Sequence, residues 1–116
     1  SIRAKISTDK EERVLEGTLF ADREPRFVKI DDIYIEVEPS PYMLVINNRD
    51  KPGVIGALGT VLGSHGVNIA RLSLGRIITL ATAITVLNVD SPLEEDVIKD
   101  ILVNPNIISV KFVTLG

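Results

Sequence analysis

Between Asn47 and Gly53 the chain reads Asn-Asn-Arg-Asp-Lys-Pro-Gly, a polar turn after the apolar run Tyr42–Ile46. Pro52 and Gly53 stand where a helix opens, and the free N–H groups of a helix start favour a carboxylate or phosphate. Gly53 has no Cβ, so a ligand can come close to the backbone. Asn48 and Asp50 lie two residues apart at a strand end and project in the same general direction. Asn68, at the start of the strand after this helix, completes a polar rim. A carboxylate on Asp50 and amides on Asn48 and Asn68 suit the ammonium and polar side chain of an amino acid, and the helix start suits its carboxylate. An ordinary structural reading stands beside this one. Asp50 can serve as an N-cap, Asn68 as a residue after a helix stop and Asn48 as a surface amide.

Gly53, Gly56, Gly59 and Gly63 fall on one side of the same helix, away from Val54, Leu58, Val61 and Leu62. Each interior glycine costs up to ~1 kcal/mol relative to alanine. Close approach of another backbone explains that cost better than direct ligand contact. The spacing is not the G-x-G-x-x-G of a dinucleotide site.

Other chemistries find little support. The 116 residues contain no Cys and one His, so disulfides, thiolate metal sites and Cys nucleophiles are absent. His65 alone makes no zinc site, and its place near a helix end suggests a surface or capping role. A net charge of −3 and 4% aromatics argue against nucleic acid, because an RNA-reading sheet needs a basic face and stacking rings. No apolar run approaches the ~18 residues that span a bilayer. The alternation Ser1–Lys5 is no signal-peptide core. A cytoplasmic protein without membrane contact is the expectation.

The positioning elements follow from periodicity. Residues 1–38 read as short strands: Ile2–Ile6 alternates, Ser7–Glu12 turns, and Val14–Phe20 returns before Ala21–Pro25 breaks the pattern. Phe27–Ile30 and Ile33–Val37 bracket Asp31-Asp32 as a two-residue hairpin. Pro39-Ser40-Pro41 is the linker candidate, dividing residues 1–38 from a domain at 42–116. That domain begins with the strand Tyr42–Ile46 and a helix running from Pro52 to a stop at Gly66. Strands Val67–Leu74 and Ala83–Val89 follow. Ser91 as N-cap, Pro92 at the first helical position and Glu94 as the reciprocal partner predict a second helix with a capping box, ended by Asn104-Pro105. Ile107–Val113 closes the domain. The order βαββαβ predicts an α+β, ferredoxin-like antiparallel sheet with two helices on one face. The strongly apolar strands predict that a second copy or domain also covers the sheet. The apolar turn Ile77–Thr82 has no account at this level.

Leu44–Gly56 with Gly66-Val67-Asn68-Ile69-Ala70 closely resembles an ACT domain. Leu74-Gly75-Arg76, Ala83–Pro92 and Ile107–Lys111 resemble the C-terminal regulatory region of the D-3-phosphoglycerate dehydrogenase family. Gly17–Arg26 resembles the end of that family's allosteric substrate-binding domain.

The resemblance implies a non-catalytic module that binds L-serine between paired ACT domains and regulates an NAD-dependent oxidoreductase of serine biosynthesis. Serine contacts would come from Asn48, Asp50 and Asn68, with backbone help near Val54 and Ile55. The partners implied are a second copy in a homo-oligomer and the catalytic domains, which, with their NAD, lie outside this chain. Arg26 matches a candidate anion-binding position in the preceding domain, while a second basic position of the family falls on Glu38. Two alternatives remain at this point: the regulatory ACT region of an iron–sulfur L-serine dehydratase, and a dimerisation module with no ligand.

Overall fold

The structure is a computed structural model that describes residues 2–8, 12–17, 26–30 and 32–115, with side chains from Phe27 onward. Thr18–Pro25 and the Arg26 side chain lie outside the described residues. The elements are β1 (Ile2–Thr8), β2 (Glu12–Gly17), β3 (Arg26–Ile30), β4 (Ile33–Val37), β5 (Tyr42–Arg49), α1 (Val54–Ser64), β6 (Ile69–Ile77), β7 (Thr82–Val89), α2 (Glu95–Leu102) and β8 (Ile107–Leu115). They form one antiparallel sheet in the order β2-β1-β8-β5-β7-β6 and a separate β3–β4 hairpin. Within the large sheet, β8-β5-β7-β6 is the ferredoxin-like unit, and β1 pairs onto β8, setting Ala4 opposite Leu115.

Period-two alternation gives this sheet two cores. On one face Leu44 and Ile46 of β5, Leu87 and Val89 of β7 and Val110 of β8 pack with Val54, Leu58 and Leu62 of α1 and Val97 and Ile101 of α2. On the other face Met43, Ile84, Val86 and Val113 pack with Val28, Ile35 and Val37. The second face is therefore covered by the chain's own β3–β4 hairpin. Sequence periodicity showed that a cover was needed, but not that residues 28–37 supply it.

The hairpin turns where expected. Ile30 pairs with Ile33, and Asp32 has φ 67°, the left-handed conformation that a tight two-residue turn demands. Segment 38–41 is fastened to the sheet. Asn88 Nδ2 donates to the Glu38 carbonyl at 2.6 Å and to Ser40 Oγ at 2.8 Å, and Leu115 N–H donates to the Pro41 carbonyl at 3.1 Å. The Glu38 carboxylate pairs with Arg71.

Helix α1 stops as its sequence indicates. Gly66 has φ 73°, Val67 N–H bonds to the Leu62 carbonyl and Gly66 N–H to that of Gly63, which is a Schellman closure. His65 follows the last turn and reaches α2, with Nε2 2.6 Å from Asp100 Oδ2. The start of α2 differs from expectation. The helix begins at Glu95, its N-cap is Glu94 with φ −81° and ψ 161°, and no side chain caps it. The capping box does not form: the chain at Glu94 is still extended, and Leu93, ahead of the helix, packs part-buried against the helix-side core. Glu95 and Asp96 still occupy the first turn, where the helix dipole favours them. No helix among the described residues is long and apolar enough to cross a membrane.

The hairpin meets the sheet tightly at Gly75. A Cβ there would lie 2.7 Å from Ile35 Cγ1 and 2.9 Å from Ile33 Cδ1. Gly75→Ala is expected to lower stability by about 1–3 kcal/mol through overpacking, read as a lower urea midpoint at unchanged slope.

Candidate functional site

Strands β5 and β6 each pair antiparallel with β7, so they run parallel to one another and end on the same side of the sheet. At that end α1 begins. An open cavity of ≈ 330 Å³ lies between these elements. The loop and helix start contribute Asn48, Asp50, Lys51, Pro52, Gly53, Val54 and Ile55, and β6 contributes Leu74 and Arg76. The volume falls at the small end of ligand pockets, about 300–1,000 Å³, which suits a molecule of amino-acid size.

Strand β5 continues through Arg49, beyond the apolar run that marked it in the sequence, and its register against β8 shifts between Asn47 and Asn48. The irregularity accompanies Asn48, which is 3% exposed and hydrogen-bonded through both of its polar atoms. Its Nδ2 donates to the Arg49 carbonyl at 2.9 Å, and its Oδ1 accepts from Thr85 Oγ1 at 2.8 Å. Asn48 thus forms part of the cavity wall while its own polar atoms face the protein.

The following turn is held on two sides. Arg49 N–H donates to the Asn106 carbonyl at 2.8 Å and Asp50 N–H to the Ala81 carbonyl at 2.9 Å. Ala81 ends a single 3-10 turn, Ile78–Leu80, with φ 52°, so the apolar turn of unknown purpose is wired to the Asp50 backbone. Its side chains project outward, Ile78 86% and Leu80 68% exposed.

Helix α1 starts two residues later than expected, at Val54, because Gly53 is its N-cap and has φ 87°. A residue with a Cβ is strained at that angle, which accounts for glycine there. No side chain caps this end and its first turn carries no acid. The Val54 N–H makes a long 3.5 Å bond to the Lys51 carbonyl, which leaves the N–H groups of Ile55 and Gly56 for an anion.

Asp50 does not cap the helix. Its Oδ2 lies 3.1 Å from Nε of Arg76, with the side chains 36% and 61% exposed respectively. A pair this exposed contributes about 0–1 kcal/mol, so it joins two walls of the cavity without locking them.

Of the residues expected to bind ligand, Asn48, Asp50, Val54 and Ile55 come together here. Asn68 does not. It lies just before β6, at the far end of that strand, and is exposed. Its backbone N–H donates to Asp90 Oδ1 at 3.1 Å and its Nδ2 to Asp90 Oδ2 at 3.0 Å. Asp90 and Arg76 both escaped the sequence reading as site neighbours. Arg76 carried one signal, two residues after Leu74 on the same strand face, but only the register joins it to Asp50.

A model of the ACT domain matches residues 42–105, more than half of the chain. The chain belongs to the ACT domain family. An ACT domain is a regulatory, amino-acid-binding module, which gives this chain a regulatory role rather than a catalytic one. The chain is also 38% identical over 101 residues to D-3-phosphoglycerate dehydrogenase of Synechocystis, covering 87% of this chain and 18% of that protein. It is 32% identical over 114 residues to the Bacillus subtilis enzyme of that name, 98% of this chain and 22% of that protein. The enzyme of Methanocaldococcus jannaschii is 29% identical over 115 residues. This ACT-containing chain therefore spans about a fifth of the length of the curated relatives it matches.

The Asn68–Asp90 contact has a pH signature. Hydrogen bonds from the Asn68 side chain, then from its backbone N–H, hold the Asp90 carboxyl below its ordinary value of 3.8. A lowered folded pKa means that the contact's contribution is complete above the unfolded pKa and is lost as pH falls through the folded one. The Asn68 side-chain amide resonances are expected to stay constant from neutral pH to about 4 and to move below that. Asp90→Asn is expected to abolish that acid transition.

Proposed function

We propose that this chain is the amino-acid-sensing regulatory part of a D-3-phosphoglycerate dehydrogenase, that L-serine is its ligand, and that serine binds at a seam between two copies. The observation carrying this reading is the cavity at the common end of β5 and β6. It combines an anionic Asp50, an uncapped helix start and a volume suited to a small amino acid. The NAD-dependent catalysis belongs to parts of the longer cytoplasmic enzyme that this chain does not span. Arg26 remains the candidate for anion binding in the preceding domain. Glu38, committed to Arg71, adds no basic partner to it.

The seam follows from topology. Among the described residues strand β6 has a neighbour on one side only, and beside it Ile55, Leu72 and Leu74 are each about two-fifths exposed. Two-fold pairing of one edge strand with itself is necessarily antiparallel. The start of β6 in one copy then lies opposite the end of β6 in the other. Asn68 of the second copy would thereby approach the cavity of the first, which supports a site shared between chains. Its Nδ2 is engaged with Asp90, but its Oδ1 can accept from an ammonium or hydroxyl group.

Within this reading, residues 1–38 are the end of the preceding domain, 39–41 the junction and 42–116 the ACT domain. Ligand would favour one arrangement of the paired sheets over another. Because β3–β4 shares a core with the ACT sheet, that preference reaches residues 27–37 through packed side chains as well as through the junction.

A second reading, a pairing module without ligand, is favoured by the internal pairing of the cavity wall: Asn48 bonds through both polar atoms and Asp50 is paired. Calorimetric titration of the 116-residue chain with L-serine separates the two. We expect a dimer by ultracentrifugation that binds serine, and a loss of at least about tenfold in affinity for Asp50→Ala. No heat at millimolar serine would support the ligand-free module, and undiminished binding by Asp50→Ala would rule out this cavity.

A further inference from the structure

We propose that Arg76 receives the carboxylate of the bound amino acid, and that the Asp50–Arg76 ion pair is a closed state opened by charge exchange with a zwitterion. The inference rests on the reading that the cavity binds an amino acid, and adds to it a residue and a mechanism.

Placement comes first. Arg76 is the penultimate residue of β6, on the same face as Leu74, and both border the cavity. The opposite wall is the start of α1, where no side chain caps the helix and Gly53 brings the backbone to the surface. A carboxylate between these walls meets a guanidinium on one side and first-turn N–H groups on the other. Guanidinium suits this task because its planar fork matches a carboxylate and carries five donors. Lys51 also borders the cavity, but an ammonium acts as a point charge without that fork.

Charge matching then selects the ligand class. In the closed state Asp50 and Arg76 satisfy each other at 3.1 Å. A ligand offering only an ammonium takes Asp50 and strands Arg76. One offering only a carboxylate takes Arg76 and strands Asp50. An α-amino acid offers both charges from one carbon, so one ion pair is exchanged for two. The substantial exposure of both side chains makes the initial pair easy to open. Asp50 is tied by its N–H to the Ala81 carbonyl, whereas Arg76 belongs to the edge strand. Exchange therefore replaces the direct tie between the end of β6 and the loop by one through the ligand, at the edge where a second copy would pair.

The test uses two probes on the 116-residue chain by titration calorimetry. L-serine carries both charges, and serinol (2-amino-1,3-propanediol) keeps the ammonium and a hydroxyl but has no carboxylate. Wild type is expected to prefer serine over serinol by at least about tenfold. In Arg76→Gln the serine affinity falls by at least that factor while serinol affinity holds or rises, so the preference collapses. Arg76→Lys, which keeps the charge, retains part of the preference, and Lys51→Gln, beside the same cavity, lowers it less than Arg76→Gln does. Thermal unfolding of each variant confirms that the fold is intact. A wild-type preference in Arg76→Gln, or its loss in Lys51→Gln instead, overturns the assignment while leaving the amino-acid site standing. Failure of wild type to bind serine at all overturns the underlying reading, and this inference with it.

Discussion

The double-sided burial of the β5–β7 pair is the constraint on which the other features depend. Met43, Leu44 and Ile46 of β5 and Ala83, Ile84, Val86 and Leu87 of β7 are all at most 1% exposed, and they alternate between the two cores. Burying one such large aliphatic side chain is worth about 1.5–3 kcal/mol. A one-residue slip would interchange the faces and disrupt both cores together, so the register is tightly specified. A fixed register in turn fixes where β5 ends. Asn48 bonds across to Thr85 on β7, Arg49 to the loop before β8, and Asp50 to the turn before β7. The polar turn is thus held by both neighbours of β5 and presents Asp50 on a rigid support, as an accurate binding site requires.

The same constraint explains why the N-terminal segment matters to an ACT sheet. A sheet whose two faces are both apolar cannot leave one in water, and here the β3–β4 hairpin supplies the cover. Its inward side chains, Val28, Ile35 and Val37, are buried, while Phe27 and Tyr34 on the outward side are 70% and 67% exposed. Gly75 on the edge strand leaves room for Ile33 and Ile35, so the hairpin and β6 are fitted to each other closely. Residues 27–37 and the strand bearing Arg76 are consequently mechanical neighbours, a direct physical route between the cavity and the preceding segment.

Local chemistry was legible in the sequence, and long-range pairing was not. The Asp31-Asp32 turn, the Gly66 stop, the order of the ACT elements and the polar turn at Asn47–Gly53 all depend on residues within one or two turns of chain, where spacing carries the information. Four of the expected site residues, Asn48 and Asp50 of that turn and Val54 and Ile55 of the helix that follows it, do meet in the cavity. The false capping box shows the limit of local reasoning. Ser91 and Glu94 have the right types and spacing, but the helix begins only at Glu95, after Leu93 has packed against the helix-side core. Arg76 against Asp50 and Asp90 against Asn68 are contacts made across the fold. Only strand register brings them together, and register cannot be counted off a sequence of Ile, Val and Leu.

The glycines of α1 show what a single copy leaves unexplained. A Cβ added at Gly56, Gly59 or Gly63 would meet nothing within 4 Å, so none is required by packing among the described residues. The close backbone approach expected from their spacing is not made among them. Three such positions together cost roughly 3 kcal/mol relative to alanine, a large share of a typical 5–15 kcal/mol stability. Ile55 of the same helix borders the cavity with Leu74 and Arg76, where Leu72 and Leu74 remain part-exposed and β6 is an edge strand among the described residues. An open strand edge and apolar side chains have separate causes in the sequence, yet they meet there. That meeting supports pairing across this edge, because contact with a second strand would offset both costs at once.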